Sequence, residues 1–324
     1  MIRRMLLAAT AVVALTGGAL AQADFPTQTI TMLVPFAAGG STDTVGRLIA
    51  EPMTKSLGQQ VIVENVGGAG GTLGATRVAR SDPDGYTLLL HHIGLASSAA
   101  LYRKLPYDTA SAFAPIGLVT DIPMTIVARS DFPAGSIGEL LDHIRANKDQ
   151  VVFAHAGVGS VSHLCGLLLM QALGTKMTSV GYKGSGPAMT DLLGGQVDMT
   201  CDQTTNTMGH IRSGKIKAYA VTTSERLASL PDLPTLDEAG LDGFEVTAWH
   251  GLYAPKGTPQ PVIDELTAAL QAALKDPKVV ERFADLGTEP VPQEQATPAA
   301  LNQQLQSEIA LWAPIIQAAG EYAE

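Results

Sequence analysis

Ser160 and His163 lie three residues apart in "GVGSVSH", His91 and His92 are adjacent at the end of an apolar run, and Asp202 closes "VDMTCD". Serine near histidine raises the chemistry of an exported serine hydrolase. A nucleophile elbow, however, needs glycine two residues either side of serine, and Ser160 has Val158 and Ser162 there. Ser160 can cap a helix and offer its hydroxyl to a ligand, with hydrolysis through Ser160 and His163 as the alternative. Paired histidines raise metal binding, but adjacent strand residues point to opposite faces and no HExxH or Cys-x-x-Cys pattern supports zinc. One histidine is expected to face a cleft, with His92 carried as the candidate and the choice between the two left open. Asp202 should stand at the carboxyl end of a strand, where open α/β sheets place ligands. There it would orient Tyr182 or a water, or accept a ligand amine or hydroxyl; capping the helix "TTNTMGHI" is the competing role. Trp249 is read as cleft lining or hinge packing.

The loop "VPFAAGGSTDTVG" runs from a strand end into a helix. Glycines let the backbone approach a ligand, and the first helical turn offers unpaired N–H groups and partial positive charge, so an anion is its natural guest. Phe36, Ala37, Ala38, Gly39, Gly40 and Ser41 are the candidate contacts. Asp43 is a cap or brace, since its charge would repel an anion. A phosphate loop needs lysine and then serine or threonine after the glycines, and a dinucleotide fingerprint needs G-x-G-x-x-G; neither is present. Glu64, ending "QVIVEN", is the one point in favour of a nucleotide.

Arg3 and Arg4 precede the apolar "MLLAATAVVALTGGALA", followed by small residues, which is the pattern of a secretory signal with cleavage after Ala21 or Ala23. A periplasmic protein is expected. Hydrophobic residues are 46% and charged residues 16%, the balance of a folded chain. The net charge of −10 falls by two when residues 1–23, with two arginines and no acids, are removed. Nucleic acid and anionic membrane are therefore poor partners. An anionic ligand would have to be held mostly by backbone N–H groups, hydroxyls and helix N-termini. Cys165 and Cys201 form either one disulfide or two buried thiols, a choice that sequence leaves open.

Strand-like and helix-like segments alternate from "TITMLVPF" to "YTLLLHH" and again from "VVFAHA" to "KAYAVTT", implying an α/β fold with a mostly parallel sheet. Each half opens with strand, glycine loop and helix, so two lobes with a cleft between them are expected. Helical patterns over 259–275, 277–286 and Pro298–Ala319 carry no further strands and should pack back onto the first lobe. The strand "EVTAWHGLYAP" carries the chain across.

"VPFAAGGSTDTVGRLIA", "VIVENVGGAGGTLGATRVARSDPDGYTLLL", "LPYDTASAFAPIGLV", "YKGSGPAMTDLLGGQVDM", "LPDLPTLDEAGLDGFE" and "GLYAPKGTPQPVIDEL" occur in this order. Together they resemble the periplasmic solute-binding receptors of tripartite tricarboxylate transporters, the Bordetella uptake gene family. The resemblance implies a two-lobed type II periplasmic binding protein with a ligand cleft between lobes. Residues 24–124 and 248–324 would form lobe 1, and 125–247 lobe 2. It further implies that the loops Phe36 to Asp43 and Gly157 to His163 grip a carboxylate (a di- or tricarboxylate or an aromatic one). Delivery would be to the membrane permease subunits of such a transporter, by a monomer without cofactor, metal or enzymatic activity. Gly157, Ser160, His163, Tyr182 and Asp202 complete the expected ligand set. One departure stands out: Gly181 replaces the proline usual before Tyr-Lys-Gly.

Overall fold

The computed structural model describes residues 25–320 and 322–323, so the expected signal and its cleavage sites lie outside the described residues. The first part runs β1 (Ile30–Val34), α1 (Ser41–Leu57), β2 (Val61–Asn65), α2 (Thr72–Ala79), β3 (Thr87–His92) and α3 (Gly94–Leu101). β4 (Phe113–Arg129) leads to α4 (Ile137–Asn147), β5 (Val152–His155), α5 (Val161–Leu173), β6 (Thr178–Gly181) and α6 (Ser185–Leu193). Then come β7 (Met199–Gln203), α7 (Thr204–Arg212), β8 (Ile216–Val221), β9 (Thr247–Pro255), α8 (Gln260–Lys275), α9 (Pro277–Asp285) and α10 (Pro298–Ala319).

β3 and most of β1 are buried on both faces, which is why "ITMLV" and "TLLLHH" read as near-continuous apolar runs. α8 has the complementary pattern: Val262, Ile263, Leu266, Ala269, Leu270 and Ala273 form one buried stripe. α8 packs on α1 and β4, and α10 on α3 and β4.

The nine strands form one sheet in the order β2-β1-β3-β9-β4-β7-β5-β6, with β8 also on β4. β1 pairs in parallel with β2 and β3, and β5 with β6 and β7. The pairs β3·β9, β4·β9, β4·β7 and β4·β8 are antiparallel. The expectation of a mostly parallel sheet is thus corrected at its centre, where β4 and β9 run against their neighbours and join two parallel halves. β4 pairs with β9 as far as Pro123 and with β7 from Met124, so one strand passes through both lobes of the α/β fold. Its sequence, with Pro115, Gly117 and Pro123, reads as broken. The structure absorbs the irregularity in register shifts near Pro115/Gly117 and Leu118/Thr120.

Cys165 on α5 and Cys201 on β7 form a disulfide, settling the alternative left open by the sequence.

Candidate functional site

Phe36 just beyond β1, His92 ending β3, Ala156 just beyond β5, and Asp202 and Gln203 ending β7 line one cavity with Ser41, Thr42, Val161, Ser162 and Ser185. These are carboxyl ends of strands, the place where open α/β sheets hold ligands. Four helices also begin there: α1 at Ser41, α5 at Val161, α6 at Ser185 and α7 at Thr204. Each brings first-turn N–H groups without intrahelical partners and the positive end of its dipole. Among the described residues no lysine or arginine lines the cavity. Its attraction for an anion therefore rests on backbone and hydroxyl donors, the arrangement that the acidic net charge demanded.

The two sides touch directly. Ser41 N–H donates to Ser185 Oγ (3.1 Å) and Ala37 N–H to the Lys183 carbonyl (2.8 Å). Ser97 Oγ donates to the Gly159 carbonyl (2.9 Å), and Tyr102 Oη–H to that of Val158 (2.9 Å). The cavity left between them is about 10 Å³, room for roughly one water molecule. A dicarboxylate can enter only if the sides move apart.

The His92 ring stacks on Phe36 (4.6 Å between centroids, 22°) and lies edge-on to His250 at 5.7 Å. His92 Nδ1 accepts from Gly94 N–H (2.9 Å), and His250 Nε2 meets Thr42 Oγ1 at 3.1 Å. His91 is set behind, its Nδ1 accepting from His92 N–H (2.8 Å), so His92 is the one of the pair that lines the cavity. Burial pushes His91 down to about 3, His250 to about 4 and His92 well below the usual value, leaving all three neutral near pH 7.

Asp202 is only 3% exposed, and burial raises its pKa to about 6. One carboxylate oxygen accepts from Gln203 N–H (2.8 Å) and the other from the Asn206 amide. The neighbouring Gln203 Oε1 is buried without a partner. A cavity rich in donors therefore contains two acceptors side by side.

Of the residues expected from sequence, Phe36, Ser41, His92 and Asp202 come together in the cavity wall. Gly40 packs against Ser185, with a built Cβ only 2.7 Å from its Oγ. Ala38 and Gly39 sit on the exposed outer turn, where Gly39 N–H donates to Asp43 Oδ2, so they do not line the cavity. Asp43 braces the loop through Arg47 and Asn65. Gly157 packs on Gly70.

Ser160 caps α5, its Oγ accepting from His163 N–H (3.4 Å) and pairing with Ser162 Oγ (3.0 Å); Ser162, not Ser160, lines the cavity. The His163 ring is held through Nδ1 by Gly159 N–H (3.3 Å) and lines a different depression. Tyr182 Oη–H donates to Asp191 (2.7 Å), so the expected partnership of Asp202 with Tyr182 does not form. Gln203, not Asp202, holds the cap position of α7. Trp249 is buried opposite Asp121 in the β4·β9 ladder, away from the cavity lining. Thr42 and Ser162 fall within the two expected loops but were not singled out, and Ser185, Gln203 and, behind Thr42, His250 are polar residues that sequence reasoning missed. The signal for Ser185 was present, a serine between glycines at the head of "SGPAMTDLL".

A two-lobed α/β fold with helix N-termini converging on an interlobe cavity defines a periplasmic-type solute-binding protein. The chain belongs to the tripartite tricarboxylate transporter family of receptors, whose model matches residues 45–321. It is 55% identical over 303 residues to a UPF0065 protein of Agrobacterium vitis from the TAR-I ttuE-ttuC' intergenic region, covering 94% of this chain and 88% of that one. Among solved structures it resembles the periplasmic binding protein BugD, with 52% identity, a TM-score of 0.91, and 93% of this chain and 100% of that one covered. MatC from Rhodopseudomonas palustris, solved with bound malate, is 46% identical with a TM-score of 0.88, covering 90% and 100%.

Proposed function

We propose that this chain is a periplasmic, non-enzymatic receptor that captures a small carboxylate by lobe closure and presents it to the membrane subunits of a tripartite tricarboxylate-type permease. The observation that carries this is the convergence of four helix N-termini on one interlobe cavity without a cationic side chain. The proposed lobes are residues 24–124 with 248–324, and 125–247. The hinge lies where β4 changes partner after Pro123 and where β9 begins at Thr247.

The ligand class we favour is an aliphatic dicarboxylate bearing a hydroxyl or ammonium group. One carboxylate takes the donors of α1, α5 and α6, and the substituent satisfies Asp202 and the unpartnered Gln203 Oε1. Malate in the related MatC has this composition. Closure then follows from differential contacts: donors now spent on direct lobe–lobe bonds, such as Ser41 N–H to Ser185, turn to the ligand from both sides.

The test is thermal unfolding of the mature protein against plain, hydroxy- and amino-dicarboxylates, tricarboxylates and aromatic acids such as terephthalate. A ligand at a hundred times its dissociation constant adds about 2.7 kcal/mol of stability. A hydroxy- or amino-dicarboxylate should give the largest shift. No response across the panel would sink the receptor reading, and a terephthalate-only response would sink the ligand class.

A further inference from the structure

His163 is expected from sequence as a carboxylate contact, yet its ring lines a groove of about 400 Å³ separate from the interlobe cavity. Leu167 and Met170 on α5, Met177 ahead of β6, and Ala318 and Ala319 ending α10 form its apolar walls. Its polar side chains are His163, Gln171, Thr175, Lys176 and Ser179, with no carboxylate among the described residues that line it. His163 is 7% exposed and neutral, and because Nδ1 accepts from Gly159 N–H, the ring proton resides on Nε2. Thr175 Oγ1 is shielded from solvent without a partner, and Lys176 makes no ion pair among the described residues. An exposed lysine beside hydroxyl and imidazole donors and an apolar wall, in a chain of net charge −10, is complementary to an anion with an apolar body.

We propose that this groove is a second binding site, for a small amphipathic monocarboxylate. Its chain lies between Leu167, Met170 and Met177 on one wall and Ala318 and Ala319 on the other, and its carboxylate meets His163, Thr175 and Lys176.

The groove's walls come from different halves of the molecule. α5 and the approach to β6 belong to the β5–β6–β7 half, whereas α10 packs on α3 and β4. His163 is moreover tied through Gly159 to the latch in which Ser97 Oγ holds the Gly159 carbonyl. An occupant touching both walls stabilises the approach of the lobes, so it strengthens binding in the cavity and is strengthened by it. This coupling rests on the lobe-closure reading; the site itself does not.

The experiment is calorimetric titration of the mature protein with octanoate, alone and with the interlobe site saturated by the best responder of the dicarboxylate panel. One equivalent of octanoate should bind in both cases, several-fold tighter in the second. Leu167→Glu and Lys176→Glu, both on the groove wall, should each weaken octanoate at least tenfold while leaving dicarboxylate affinity without octanoate unchanged. No octanoate binding, its displacement by dicarboxylate, or indifference to both substitutions overturns the proposal. If octanoate binds but no dicarboxylate does, the groove stands and the receptor reading with its coupling falls.

Discussion

Ser41 and Ser185, 144 residues apart, are joined by a 3.1 Å hydrogen bond from the Ser41 N–H to the Ser185 Oγ, head to head between the first turns of α1 and α6. Both residues line the cavity, so this contact between the two sides uses groups that a carboxylate in the cavity would need. Ser185→Ala should weaken dicarboxylate binding by roughly 1–3 kcal/mol, the cost of a ligand oxygen left without its donor. Calorimetric titration checks this. An unchanged dissociation constant would make Ser185 a closure contact only.

Gly70 offers a way to hold the lobes apart without touching the cavity. A Cβ built there would stand 1.8 Å from the Val158 carbonyl oxygen, the atom that also accepts from Tyr102. Gly70→Ala cannot close as the wild type does, and at φ 59° it carries a backbone cost of roughly 1–2 kcal/mol. Dicarboxylate affinity should fall more than tenfold, and small-angle scattering with saturating ligand should show a larger radius of gyration than wild type. A scattering curve matching the closed wild type would refute the clash.

Ser160 and Ser162 separate capping from binding. Ser160 caps α5 but does not line the cavity, whereas Ser162 does. Ser160→Ala should therefore lower unfolding stability by about 1 kcal/mol, the usual worth of such a cap, with a smaller effect on affinity than Ser162→Ala. Paired denaturation and titration of both variants decide it; the reverse ranking in affinity would restore Ser160 as the contact.

The sequence carried the paired glycine loops and the scarcity of cations, and those two features led to backbone donors around an anion. It resolved neither α3, β4 nor α4. "GLASSAAL" is buried nearly all round and shows no amphipathic stripe, and β4 hides its length behind Pro115, which sits at a register shift, and Pro123, where the strand passes from β9 to β7. Which residue of a loop faces the ligand was equally out of reach. Ser160 and Ser162 are two residues apart on a loop entering a helix, and only the path set by the Gly157 and Gly159 conformations (φ 112° and 86°) decides between them. Asp202 stands at the carboxyl end of β7, held by Gln203 and by Asn206 four residues on, whereas tertiary packing sends the Tyr182 hydroxyl to Asp191 instead.

The Cys165–Cys201 disulfide ties α5, which carries Ser162, to β7, which carries Asp202, across a sequence separation of 36. Closing a loop of that length in the unfolded chain corresponds to roughly 3–4 kcal/mol in the chain-entropy account. Reduction, or Cys165→Ala with Cys201→Ala, should lower unfolding stability by about that amount in urea titrations. A loss under about 1 kcal/mol would show that packing alone holds α5 on β7.

Asp202 links capture to pH. Its folded pKa of about 6 lies above the usual 3.8, so between these values the folded protein holds a proton that the unfolded chain has released. The cost is absent below about pH 3.8, grows as pH rises, and is fully present above about 6, reaching roughly 3 kcal/mol at 1.36 kcal/mol per unit. The buried histidines oppose this trend, because they resist protonation and lose stability as pH falls below their ordinary range. Comparing wild type with Asp202→Asn at each pH cancels their contribution. Asp202→Asn should gain stability relative to wild type as pH rises from 4 to 7, less whatever its amide loses against the Gln203 and Asn206 donors. A plain dicarboxylate favours protonated Asp202, so its affinity for wild type relative to Asp202→Asn should fall as pH rises through about 6. A ligand that offers an ammonium to the carboxylate should show the opposite slope. Parallel profiles for wild type and variant with both ligand types would mean that Asp202 does not face the bound molecule.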